Sequence, residues 1–143
     1  MTIPLEYRQA SADFDALMKD LVATSMLATS HQAYTMLQAV LQVFRRRLTV
    51  AEAIAFANVL PAVLRANFVS DWDLDQPKKP FGEREQLMAE VRAFRHDHNL
   101  STETAISDVI ATVRRHVDPD AFERVLKTLP QEAQDFWSAA RLS

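Results

Sequence analysis

Apolar residues recur along this chain at helical steps. Met36, Leu37, Val40, Leu41, Phe44 and Leu48 are spaced by one, three or four positions, as are Ala105, Ile106, Val109, Ile110, Val113 and Val117. A period near 3.6 gathers each set on one face of a helix and leaves the polar residues opposite. Shorter sets of the same kind follow: Ala53, Phe56, Ala57 and Leu60 after the first, and Phe122, Val125, Leu126 and Leu129 after the second. The pattern predicts helices over 11–26, 31–47, 50–60 and 61–69, then over 83–97, 102–116, 119–128 and 130–140. Boundary residues agree. Thr49 followed by Glu52 makes a capping box, and Asp118 before Pro119 supplies a cap and a preset first-turn φ. Ser101 is a further N-cap. Pro61 and Pro130 open short final helices, because proline lacks the N–H that a helix interior uses.

The two sets are related by an offset of 69 residues, which lays RRRLTVAEAIAFANVLP from Arg45 over RRHVDPDAFERVLKTLP from Arg114. Upstream the offset becomes 70, matching Leu17, Met18 and Leu21 to Leu87, Met88 and Val91. The expected fold is therefore all-α: about eight helices in two similar four-helix units packed as one compact body. The first unit spans 1–70 and the second 83–143, joined by a linker over 71–82 that holds Pro77, Pro80 and Gly82. Trp72 and Phe81 are expected to pin that linker to the helical body by burying aromatic surface.

Composition then narrows the functions. Gly82 is the one glycine in 143 residues, which excludes phosphate-cradling loops and dinucleotide fingerprints, since both need several glycines for close backbone approach. The absence of cysteine removes thiol nucleophiles, thiolate metal sites and disulfides. No basic-then-apolar leader and no apolar run of membrane-spanning length is present, so a cytoplasmic protein without membrane contact is expected. The net charge is −3, and residues 71–143 carry ten Lys/Arg against fourteen Asp/Glu. An acidic second half disfavours nucleic-acid binding, which depends on neutralising phosphates.

Several clusters invite chemistry and read better as structure. His96-Asp97-His98 has metal-binding side chains, but residues two apart on a helix point to different sides. Asp71, Asp73 and Asp75 alternate like the start of a calcium loop, yet Gln76 replaces the required glycine and Gly82 stands where a bidentate glutamate belongs. Ser30-His31 is adjacency without a nucleophile–base geometry. Met18, Met26, Met36 and Met88 read mostly as core filling. Arg45, Arg46, Arg114 and Arg115 close the two long helices, where cations complement the negative dipole end; the alternative is contact with an anionic partner.

The leucine-proline helix ending, LPAVLRANFVSDWD in mid-chain and the following KKPFGEREQLMAEV together resemble the bacterial family catalogued as domain of unknown function 2267, over nearly the whole chain. The resemblance implies tandem helical units with a leucine-proline step, a later aromatic and a tryptophan-aspartate pair, here Leu60, Pro61, Phe68, Trp72 and Asp73. Family members usually carry glycines in this stretch; Ala66 and Asp71 occupy those places. The resemblance implies no activity, cofactor or catalytic residue. With no catalytic group or metal site singled out, the expected function is a non-catalytic protein-interaction or adaptor module with a protein partner. The alternative is a small-molecule-binding or enzymatic helical domain whose pocket lies at the seam between the units, lined by Phe68, Trp72 and Phe81.

Overall fold

The computed structural model describes residues 2–27, 29–94 and 102–138, and these form nine helices and no strand. In chain order they are α1 (Leu5–Arg8), α2 (Ala10–Ser25), α3 (Ser30–Arg45), α4 (Val50–Ala57), α5 (Ala62–Val69), α6 (Arg84–Ala93), α7 (Ala105–Arg115), α8 (Pro119–Leu126) and α9 (Gln131–Ser138). No helix among the described residues is long and apolar enough to cross a membrane.

Eight of these answer to the helices expected from periodicity. The ninth, α1, has four residues, too few for a period to register. Several helices end earlier than their apolar pattern because the last turn tightens. After α3, Arg47 N donates to Phe44 O and Leu48 N to Arg45 O, both at 3.0 Å; after α4, Leu60 N donates to Ala57 O at 3.1 Å; after α8, Leu129 N donates to Leu126 O at 3.0 Å. These three-residue steps satisfy carbonyls that an α-helix would leave open while keeping Leu48, Leu60 and Leu129 buried. α6 stops at Ala93 with Phe94 extended, short of the expected end at 97. Residues 95–101, which include the His96-Asp97-His98 cluster and Ser101, and the chain beyond 138 lie outside the described residues.

The caps are those the sequence specifies. Thr49 N donates to Glu52 Oε1 at 2.8 Å and Glu52 N to Thr49 Oγ1 at 3.2 Å. Asp118 accepts from Asp120 N at 3.0 Å, with Pro119 in the first turn. Met18, Met36 and Met88 are buried, but Met26 is 90% exposed. It terminates α2 in the left-handed conformation, at φ 60°, which turns its side chain away from the apolar face.

One core joins both halves of the chain. Its centre is aromatic: Phe44 of α3, Phe56 of α4, Phe122 of α8 and Trp137 of α9, with Phe56–Trp137 centroids 5.2 Å apart, Phe44–Trp137 5.6 Å and Phe122–Trp137 5.3 Å. Such edge and tilted ring pairs contribute about 0.5–1.5 kcal/mol each beyond the area they bury. Around this centre α2 packs on α7, α3 on α6, and α4 on α8, so each half covers helices of the other.

Two positions test this packing. Gly82 has φ +67°, and a Cβ there would collide with Gln86 Oε1, which caps α6 by accepting from Glu83 N at 3.3 Å. Gly82→Ala should lower unfolding stability by about 1–2 kcal/mol in urea titrations, the left-handed penalty for a side chain. Asn67 is buried on α5, and neither its Nδ2 nor its Oδ1 meets a protein partner. Phe136, 69 residues on, is the corresponding apolar residue. Asn67→Leu should therefore raise stability by about 1 kcal/mol, because it replaces an unpaired buried amide with an apolar side chain of the same branching. Unchanged or lowered stability would mean that the amide has a partner in solution.

Candidate functional site

The basic end of α3 organises the segment that follows α5. Arg45 is only 7% exposed, and a buried guanidinium must find acceptors. Its Nη1 donates to Phe68 O at 3.0 Å and Ser70 O at 2.9 Å, the carbonyls at the end of α5. The guanidinium carbon sits 5.1 Å from the Trp72 ring centroid, a cation–π contact. Burial lowers the Arg45 pKa, and the charge of Asp71 opposes that shift. Asp71 itself has φ 52°, a glycine-favouring conformation at a position where the family resemblance places a glycine.

Arg46 and Arg47 hold the rest of the loop. Arg46 Nε donates to Pro77 O at 2.9 Å, and Lys79 N donates to Arg46 O at 2.9 Å. Arg47, 3% exposed, donates to Pro80 O and forms a two-pronged ion pair with Glu90 of α6, one arm measuring 2.9 Å. Hydrogen bonds from Arg47 keep the Glu90 carboxyl below its usual range, against the opposing effect of burial.

Strapping the loop in this way leaves a depression on each side of Arg46. One, about 400 Å³, lies between α3, the loop and α6, and is lined by Gln42, Arg45, Asp71, Asp73, Gln76 and Glu90 among others. The other, about 250 Å³, is a groove between the loop and the start of α4. Leu48, Val50, Trp72, Leu74 and Pro77 supply its apolar surface, with Arg46, Lys78 and Asp73 also lining it. Leu74 is 65% exposed, Val50 45%, and Ile54, one turn farther along α4, 52%. Arg46 Nη1 and Nη2 have no acceptor among the described residues.

The second basic cluster is engaged within the protein. Arg114 Nε donates to Trp137 O at 2.9 Å, and Arg114 also pairs with Glu123 and lies over Phe122. Arg115 grips Asp20 of α2 through two bonds of 2.8 and 2.9 Å, and His116 Nε2 lies 2.9 Å from the same carboxylate. Hydrogen bonding from Arg115 is the main cause that holds the Asp20 pKa down at about 2, helped by His116 and Thr24 and opposed by burial.

The family model described as uncharacterised conserved protein (DUF2267) matches residues 14–136. The chain belongs to that family. A comparison with curated proteins finds no match. The DUF2267 match takes in both basic clusters, the loop and the groove.

Within this DUF2267 fold the expected site residues are dispersed. Phe68 is wholly buried, 5.2 Å from Phe56 between centroids. Phe81 is buried 6.1 Å from Phe44 and borders a separate shallow depression with Arg84 and Phe136. Trp72 is half-buried beneath Arg45 and alone of the three lines the groove. Arg45 and Arg46 flank both clefts, whereas Arg114 and Arg115 contact α9, α8 and α2. Asp73 Oδ1 accepts from Asp75 N at 2.9 Å, a local turn within the acidic stretch. Sequence reasoning missed Val50, Ile54 and Leu74. Their signal was an apolar residue off the periodic face of α4, and another in a polar loop.

The ion pair at Asp20 has a pH signature. A carboxyl whose folded pKa is depressed contributes stability that is complete above its unfolded value near 3.8 and is lost as pH falls toward about 2. Asp20→Asn should cost about 1 kcal/mol near neutral pH, as expected of a partly exposed pair, and should flatten the acid limb of the stability profile in urea unfolding below about pH 4. An unaltered acid limb would show that the pair is not formed in solution.

Proposed function

We propose that this DUF2267 protein is a protein-interaction or adaptor module of the bacterial cytoplasm, without catalysis of its own, and that it engages its partner through the groove beside Trp72. The observation that carries the reading is the exposed apolar pair Val50 and Leu74 lining that groove, with exposed Ile54 one turn farther along α4. Exposed apolar side chains beside a concavity suit a protein contact. Packing does not demand it: at the offset of 69, Val50 and Ile54 correspond to Pro119 and Glu123.

The same reading keeps two similar units, 1–70 and 83–143, joined by 71–82. Repeated bonds support it. Arg45 and Arg114, 69 apart, donate to Phe68 O and Trp137 O, also 69 apart. Arg65 Nη2 donates to Leu60 O and Gln134 Nε2 to Leu129 O, with the same separation. Across the halves, Arg47 pairs with Glu90 as His116 pairs with Asp20.

A photo-crosslinking amino acid placed at Ile54 tests the docking face in living cells. The expected result is one dominant, saturable protein adduct that disappears with Leu74→Ser and is absent when the crosslinker replaces Glu132 of α9. Equal adducts at both positions, or none, would remove the reading. The small-molecule alternative finds its best support in the seam cleft of about 400 Å³, a volume within the usual range for ligand sites. A ligand at a hundred times its Kd would stabilise the chain by about 2.7 kcal/mol, measurable as a thermal shift that Gln42→Ala and Gln76→Ala diminish.

A further inference from the structure

We infer that the segment received by the groove is acidic as well as apolar: a short stretch of chain with a bulky aliphatic side chain beside one or more carboxylates. The inference rests on the docking role proposed above and adds the chemistry of the partner. The size of the groove supports the first half. At about 250 Å³ it falls below the range typical of small-molecule sites and matches one or two side chains entering from a neighbouring surface. Leu48 and Trp72 give it an apolar floor, and Val50 and Leu74 an apolar edge.

Charge supports the second half. Arg46 presents Nη1 and Nη2 without a protein acceptor, and Lys78 is exposed without one among the described residues. Arg45 also lines the groove, but its Nη1 is committed to Phe68 O and Ser70 O and its guanidinium is held against Trp72, so it adds positive charge more than a mobile donor. The single carboxylate lining the groove, Asp73, is partly engaged by Asp75 N. The lining therefore sets three cations, Arg45, Arg46 and Lys78, against the one carboxylate of Asp73, on a chain whose net charge is −3. The groove is locally basic against an acidic background, an arrangement that steers carboxylates toward it and turns basic segments away. A nucleic acid would need a longer row of cations than this, whereas a peptide carboxylate needs one or two.

Fluorescence anisotropy of the 143-residue chain with labelled peptides of about twelve residues tests the inference. One probe carries Leu flanked by Asp and Glu, the second has Asn and Gln in place of the acids, the third has Lys there, and the fourth has Ser in place of Leu. The acidic Leu peptide should bind, the amide version roughly five- to tenfold more weakly, and the Lys version not at all. Replacing Leu in the peptide, or Leu74→Ser in the protein, should cost at least about tenfold. Arg46→Glu should abolish the preference for acid and Arg46→Lys should retain it, with circular dichroism confirming that both variants stay folded. Equal binding of the acidic and amide peptides, indifference to Arg46→Glu, or no peptide binding overturns the inference. If the Ile54 adduct persists while the acidic peptide neither binds nor competes with it, the docking role stands and the acidic chemistry falls. Loss of the adduct together with peptide binding removes both. Concentration-dependent dimerisation abolished by Leu74→Ser would assign the groove to a second copy of the chain, and binding of single-stranded DNA in competition with the peptide would assign it to nucleic acid; either result overturns the inference.

Discussion

A guanidinium sealed inside a helical protein dictates what surrounds it. Arg45 cannot shed its charge, and it gains stability only if its donors meet acceptors that do not move away. The acceptors it finds are Phe68 O and Ser70 O, backbone carbonyls left open where α5 ends. One contact thus meets the needs of both sides: a buried cation acquires partners, and a helix terminus loses its unsatisfied groups. The geometry then propagates. Ser70 is fixed in extended conformation, Asp71 must turn through the left-handed region, and Trp72 comes to rest beneath the guanidinium. The loop cannot leave α3 without exposing Arg45 to a loss of its acceptors, so the shape of the groove follows from the burial of one charge.

The neighbouring arginines extend the same economy in different directions. Arg47 is as deeply buried as Arg45 and reaches across to Glu90, which ties α3 to α6. Arg115 and His116 reach back to Asp20, which ties α7 to α2. Each half of the chain supplies an acid from an early helix to the basic end of a long helix in the other. These pairs differ in what they hold. Arg47 has little access to water and depends on Glu90, whereas Arg115 is about half exposed and its pair is screened. The core that Phe44, Phe56, Phe122 and Trp137 centre is shared by both halves, and the ion pairs add charged ties across it.

The helical elements were legible because each depends on a local pattern. The faces of α3 and α7 followed from spacing alone, and Thr49–Glu52 and Asp118–Pro119 marked the starts of α4 and α8 through chemistry that acts within four residues. The roles of the arginines were not legible in the same way. A basic residue at a helix C-terminus reads as a complement to its own helix dipole, yet Arg45 and Arg114 spend their donors on the ends of α5 and α9, which only tertiary packing brings near. Aromatic residues misled for a related reason. Phe68 and Phe81 looked available for a ligand because they stand near the junction, but a core this rich in rings absorbs them.

What the periodic pattern leaves over is more informative about contact with other molecules than what it explains. Ile54 falls outside the face formed by Ala53, Phe56, Ala57 and Leu60, and Leu74 interrupts a polar loop; neither contributes to the core. Where the second half has the corresponding helix, Glu123 takes the place of Ile54 and is drawn into the pair with Arg114. At positions 69 apart in the sequence, one helix thus carries a charged residue engaged within the fold and the other an apolar residue left half exposed. An isoleucine left half exposed at such a position gains only part of the burial energy its side chain could supply, and the remainder is open to another surface, as the proposed docking role requires. Arg46 makes the same point in polar form: of the three consecutive arginines it is the one with both terminal nitrogens unspent among the described residues, and it stands at the edge of the groove that the other two help hold in place.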